Sequence, residues 1–122
     1  MFSIDNMSRT PVYEQIITQV ERFIDAGLLK AGDKLPSVRS LSVDLSVNPN
    51  TIQKAFAELD GSGLIVSVPG KGSFVSDDAA NILRERSRSK TDEFVAMAKQ
   101  LYQAGISEGE LKDLIAKAIA DK

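Results

Sequence analysis

The segment at residues 46–56, SVNPNTIQKAF, restricts where a helix can begin more than any other part of the chain. A proline inside a helix removes a backbone hydrogen bond and clashes with the preceding turn. At the first helical position the same proline is favoured, and asparagine before it is a preferred capping residue. We therefore predict a helix that starts at Pro49, is capped by Asn48, and has an apolar face made of Ile52, Ala55, Phe56 and Leu59.

A second short helix is predicted immediately before this one. Ser37 can cap it, and Val38, Leu41 and Leu45 fall on one face. Only residues 46–48 separate the two helices, which is the spacing of a helix-turn-helix motif whose second helix enters the major groove of DNA. The alternative is an ordinary capped helix hairpin, and the helices alone do not separate the two interpretations.

The first turn of the second helix offers polar side chains suited to DNA. Amides can bond base edges, and hydroxyls and cations can contact phosphates. The serine-rich face of the preceding helix is also compatible with phosphate oxygens. The candidate DNA-binding residues on the two helices are Ser37, Asn48, Asn50, Thr51, Gln53 and Lys54.

A β-hairpin is predicted directly after the second helix, in the run LIVSVPGKGSFV. Its strands cover residues 64–68 and 73–76, and Gly70, Lys71 and Gly72 form its tip. A Gly-Lys-Gly turn alone is a weak signal, since many solvated turns look like this. In a winged helix, the hairpin that follows the recognition helix is the wing. Here the wing would place Lys71 at a tip whose glycines let the backbone approach DNA.

Composition excludes much chemistry. The chain contains no cysteine and no histidine, which removes the usual nucleophile–base pairs and the common zinc sites. We predict no catalytic residue, no metal site, no cofactor and no enzymatic activity. The net charge of −2 argues weakly against nucleic acid, but residues 30–75 carry a small positive excess. No apolar run is long enough to span a membrane, and a cytoplasmic protein is expected.

The run at residues 35–75 resembles the DNA-binding domain of the GntR family of bacterial transcriptional regulators. TPVYEQI near the N-terminus and NPNT resemble its short YtrA-like members. The resemblance implies a winged helix-turn-helix in which Arg39 reaches DNA from the first helix of the motif. It also implies a repressor, often of a transporter operon. Pro69 departs from the family pattern, in which a basic residue often precedes the wing glycine, so wing contacts should rest mainly on Lys71.

Residues 77–122 are too few for a sensor domain of the size that GntR proteins usually carry. Two amphipathic helices separated by AGIS at residues 104–107 are predicted instead. The first runs from about residue 78 to residue 103 and contains a basic stretch, RERSRSK, that is expected to face solvent. Such a pair cannot bury both apolar faces alone, which favours a homodimer over packing against the same subunit. The candidate dimerisation residues are Phe94, Met97, Leu101, Leu111, Leu114, Ile115 and Ile119.

The sequence thus predicts a mainly α (α+β) protein with two parts. Residues 1–76 form a winged helix-turn-helix DNA-binding domain, and residues 77–122 form a helical dimerisation region. The expected partners are a second copy of the chain and an inverted-repeat DNA operator. Two alternatives stay open: a winged-helix protein-interaction module without sequence-specific DNA binding, and a DNA-binding sensor of an unknown small molecule.

Overall fold

A computed structural model describes residues 2–120. Over these residues the chain is mostly helical with one small antiparallel sheet, as predicted. The elements in order are α1 Val12–Asp25, α2 Val38–Leu45, α3 Pro49–Gly61, β1 Ile65–Val68, β2 Gly72–Val75, α4 Ala79–Gln103 and α5 Glu108–Ala120. The chain divides into two compact units, of which the first ends at Arg84 and the second begins at Glu85, both within α4. The predicted domain boundary after residue 76 stays a prediction.

The core of the first unit forms where α1 packs against α3. Ile16 and Val20 on α1 are fully buried, as is Ile52 on α3. These residues recur at the helical spacing seen in the sequence, because only one face of each helix can be removed from water. Ala79 and Leu83, on the first turns of α4, are buried in the same core. One face of α3 is therefore packed against this core, and the opposite face is exposed to solvent.

The start of α1 differs slightly from expectation. The sequence TPVYEQI predicts Thr10 as the cap with Pro11 at the first helical position, but Pro11 is itself the capping residue and makes no side-chain cap bond. Gln15 Nε2 donates to the carbonyl oxygens of Asp5 and Thr10, at 3.0 and 2.9 Å, and so fixes the incoming chain. These bonds hold the segment before α1 but do not pair the backbone amides of its first turn.

The turn between α2 and α3 is held in a left-handed backbone conformation. Ser46 has φ 54° and ψ 46°, and it is the sole non-glycine residue with positive φ among the described residues. The Ser42 hydroxyl donates to the Val47 carbonyl at 2.6 Å, and the Val47 amide donates back to the Ser42 carbonyl at 3.1 Å. The crossing of α2 and α3 is thus set by a strained residue that its neighbours hold in place.

Ser46→Gly is expected to stabilise the protein by about 1 kcal/mol, because glycine adopts this conformation without the Cβ clash that a serine pays. The measurement is the midpoint of urea unfolding at unchanged slope. Ser40→Gly, at a helical position of α2, is the matched control and should be destabilising by about 1 kcal/mol. A Ser46→Gly protein no more stable than wild type would contradict the idea that this turn is strained.

The hairpin of β1 and β2 is joined by a third extended segment at residues 33–35, where DKL between Gly32 and Pro36 predicts a short strand. Lys34 forms an isolated antiparallel bridge with Phe74 on the free edge of β2. On either side of it, the Val75 amide donates to the Asp33 carbonyl and the Leu35 amide donates to the Ser73 carbonyl, both at 2.8 Å. The Ser76 hydroxyl also donates to the carbonyl of Gly63 at 2.6 Å. The wing is therefore attached at its base to the end of α3 and along its edge to the segment before α2.

The second unit contains the rest of α4 and all of α5, separated at residues 104–107 as predicted. Gly105 has φ 106° and allows the reversal, and the Ser107 hydroxyl caps α5 by accepting from the Glu110 amide at 3.1 Å. No residue of α5, Glu108–Ala120, is buried. The second unit thus has defined helices but no core in the single chain.

Candidate nucleic-acid interface

The start of α3 is fixed by the two residues that the sequence singled out. Asn48 Oδ1 accepts from the Asn50 amide at 2.8 Å, and Pro49 occupies the first helical position. The cap uses one lone pair of Oδ1, and both Nδ2 hydrogens of Asn48 remain free to donate. Phosphate oxygens are acceptors, so Asn48 can donate to a phosphate while its cap bond stays in place.

The other residues of the first turn of α3 differ in their exposure to solvent. Asn50 and Gln53 are exposed and their side-chain amides have no hydrogen-bond partner among the described residues, whereas Thr51 is half-buried. Ile52 and Ala55, on the other face of the helix, are fully buried. The helix therefore presents Asn50 and Gln53 on its solvent side, and either amide has both the donor and the acceptor that bidentate recognition of adenine requires.

Lys54 is engaged by a residue that the sequence did not connect with it. Its Nζ lies 3.8 Å from the centroid of the Tyr13 ring on α1. A cation over an aromatic ring at an exposed site gains about 0.5–1 kcal/mol. Tyr13 therefore restrains the Lys54 ammonium beside the start of α1, while the side chain stays exposed. The helical spacing of Tyr13, Ile16 and Val20 in the sequence predicts only that Tyr13 lies on the apolar face of α1.

Arg39 and Ser37 lie at the N-terminal end of α2. The Ser37 hydroxyl accepts from the Ser40 amide at 3.0 Å and so caps the helix, as predicted. Its own proton is still free to be donated. Arg39 is exposed on the first turn, and no carboxylate of the described residues pairs with it. A guanidinium without an internal partner is available for a phosphate or for a guanine edge.

The tip of the wing consists of Gly70, Lys71 and Gly72, all of them exposed. Both glycines have positive φ, of 77° and 120°, and the Lys71 amide closes the turn by donating to the Val68 carbonyl at 3.0 Å. A side chain at Gly72 would also meet the Cε atom of Lys34 at 2.9 Å. The glycines are thus required by the turn itself, and the approach of Lys34 is a feature that sequence reasoning missed.

Comparison with known proteins agrees with this geometry. Residues 12–75, which include α1, the helix-turn-helix and the wing, match the family model described as bacterial regulatory proteins, gntR family. The chain belongs to the GntR family of bacterial transcriptional regulators. It is similar over nearly its whole length to the HTH-type transcriptional repressor YtrA of Bacillus subtilis, at 39% identity, with 99% of this chain and 94% of the relative covered.

Solved structures of this family are similar in fold as well. YtrA from Sulfolobus acidocaldarius, a GntR-family transcription factor, is 38% identical and has a TM-score of 0.63, with 78% of this chain and 95% of that one covered. The DNA-binding domain of AraR in complex with operator ORE1 is 30% identical, with a TM-score of 0.54 and coverage of 60% and 89%. The predicted family, its YtrA-like character and the winged-helix fold class are therefore confirmed, and this GntR protein is a transcriptional regulator with a DNA-binding domain.

A second surface lies on the C-terminal unit. Helices α4 and α5 enclose a groove of about 340 Å³ with an almost entirely apolar lining. Phe94 and Met97 at its edge are 55% and 62% exposed, and Ile119, further along α5, is 67% exposed. The predicted dimerisation residues that line the groove are Phe94, Met97, Leu101, Leu111, Leu114 and Ile115. The unit brings these side chains together without covering them.

Proposed function

We propose that this GntR-family protein is a homodimeric repressor that binds an inverted-repeat operator. In this proposal residues 1–76 bind DNA and residues 77–122 form the dimer. The observation that carries the DNA-binding part is the start of α3, where a cap and a proline fix a solvent-facing first turn with two free amides. Repression is proposed because the similar YtrA of Bacillus subtilis is named a repressor.

Each candidate residue has a distinct role in this proposal. Asn48, Lys54, Ser37 and the wing residues Gly70, Lys71 and Gly72 contact phosphates and fix the register of the protein on DNA. Asn50 and Gln53 read base edges, and Arg39 contacts either a base or a phosphate. Half-buried Thr51 can contribute its hydroxyl but little surface.

The second copy of the chain is the proposed occupant of the groove on α4 and α5. A helix pair with no buried residue on α5 has nothing in its own chain to remove its apolar side chains from water. A two-fold symmetric contact would cover both grooves at once, and the same symmetry presents two recognition helices to the two halves of an inverted repeat. An acidic or polar partner does not suit a lining of this composition.

The proposal also covers enzymatic activity and the location of the protein. We propose no enzymatic activity, since the similar proteins are transcriptional regulators. Within residues 2–120, no helix combines the length and the apolar character that crossing a membrane requires. A cytoplasmic location, where the DNA is, follows from the proposed function. A small-molecule effector is not part of the proposal.

The test is a gel-shift titration with a DNA fragment from upstream of the protein's own gene, repeated over a salt series. Specific binding should exceed binding to a scrambled fragment by about 10³-fold or more and weaken steeply with salt. Footprinting should then reveal two protected half-sites related by two-fold symmetry. Binding without sequence preference and without salt dependence would favour the protein-interaction module instead.

A further inference from the structure

The Lys34 side chain runs along the wing toward its tip. Its backbone is fixed on the edge of β2 by the bridge to Phe74 and by the flanking bonds at Asp33 and Leu35. Side chains two residues apart on a strand share a face, so Phe74 and Gly72 lie on one side of the hairpin. The stem of Lys34 crosses that side above Gly72, where a Cβ atom would lie 2.9 Å from its Cε and 3.7 Å from its Nζ.

This placement brings a second lysine to the end of the hairpin that carries Lys71. Lys71 is adjacent to Gly72 in the chain, and the Lys34 Nζ lies against Gly72 from the neighbouring segment. Neither lysine has an ion-pair partner among the described residues, and both are exposed. Gly72 lacks the side chain that would push Lys34 aside, and its φ of 120° disfavours any replacement that has one.

Lysine side chains at such a position contact DNA through its phosphates. A lysine that neutralises one phosphate of B-DNA releases condensed counterions and contributes about 0.9 to the slope of log K against log salt. The wing turn itself supplies one cation, because Pro69 stands where similar proteins often carry a basic residue. Lys34 brings a second positive charge to the same place from a segment that precedes α2.

We propose that Lys34 is a DNA-phosphate contact that completes the wing, acting beside Lys71. This inference rests on the proposed DNA-binding function. It adds to the DNA-binding surface a residue that lies outside the hairpin of β1 and β2. The contact depends on charge and is independent of base sequence, so it should affect specific and non-specific DNA alike.

The test is the variant Lys34→Met, which keeps an unbranched stem over Gly72 but removes the charge. Because the proposed dimer carries two copies of Lys34, its operator affinity should fall about 60-fold at ~0.1 M salt, and the salt slope should decrease in magnitude by about two. Lys34→Arg should restore both values. Lys30→Met removes an exposed lysine four positions earlier and is the matched control, which should retain the wild-type slope.

The possible outcomes separate the two levels of the proposal. If the wild-type protein binds with a steep salt slope and Lys34→Met has the same slope, Lys34 is not a DNA contact and the proposed function is unaffected. If Lys34→Met loses affinity at an unchanged slope, the lysine supports the wing by packing alone, and the inference is wrong. A wild-type protein that shows no salt-dependent binding would overturn the DNA-binding function, and Lys34 with it.

Discussion

Replacing Ile115 with aspartate is expected to convert the protein to monomers and to lower its operator affinity by about 10²–10⁴-fold. Ile115 lines the groove between α4 and α5 and is 42% exposed, so the single chain already tolerates water at this position. In the proposed dimer the new carboxylate would be buried without a partner, which a self-complementary apolar contact cannot accommodate. Each winged domain would then bind its half-site alone and lose the high effective concentration that the second copy provides.

Ala116→Asp is the control for this change. Ala116 is the next residue on α5, is exposed and is not among the groove-lining residues, and its replacement adds the same charge to the same helix. Sedimentation velocity at micromolar protein should give a dimer for wild type and Ala116→Asp, and a monomer for Ile115→Asp. Circular dichroism should retain the helical signal of the winged domain in all three. A wild-type monomer at these concentrations, or a dimeric Ile115→Asp protein, would remove the dimer from the proposed function.

Arg39→Ala is expected to weaken operator binding by about 1–3 kcal/mol at each half-site, or roughly five- to 150-fold for each Arg39 of the dimer, with little change in stability. The side chain is exposed on the first turn of α2 and has no internal carboxylate to compensate its charge. Its loss therefore removes a contact to DNA without leaving a buried group unsatisfied. The measurement is the operator dissociation constant at fixed salt, together with the urea midpoint of the free protein.

Arg39→Lys distinguishes the two roles that Arg39 can have. A bidentate contact to guanine requires the planar guanidinium, so lysine would not restore it, and the loss would be confined to the specific operator. A phosphate contact requires mainly the charge, so lysine would restore most of the affinity on every DNA. Arg22→Ala, which removes an exposed arginine from the last turn of α1, should bind as wild type does. Unchanged binding by Arg39→Ala would exclude Arg39 from the interface.

Local sequence was enough to predict the parts of the site that lie within a few residues of one another. The cap at Asn48 and the start at Pro49 follow from backbone chemistry within one turn, and the structure confirms both. The cap at Ser37 is confirmed in the same way. The wing strands were predicted to within one residue at each end. Thr10 is the exception, because Pro11 takes the capping position and the Thr10 carbonyl accepts from the Gln15 side chain.

Contacts between distant segments could not be read from the same patterns. Lys54 and Tyr13 are far apart in the chain, and each was assigned to its own helix until the packing of α1 on α3 brought them within 3.8 Å. The first turns of α4 were predicted as part of the C-terminal region, yet Ala79 and Leu83 are buried in the core of the first unit. Apolar periodicity indicates that one face of a helix is buried, but it does not identify which part of the protein covers that face.

The sequence by itself determined the helices, the turn, the wing and the family, because caps, prolines and apolar spacing act over a few residues. The tertiary structure decided which side chains share a surface. Lys34 lies over Gly72 because an isolated bridge to Phe74 attaches it to the edge of β2. Helices α4 and α5 place six apolar residues around one uncovered groove. Both arrangements depend on how segments distant in the chain are packed, and no local preference of either segment encodes the distance between them.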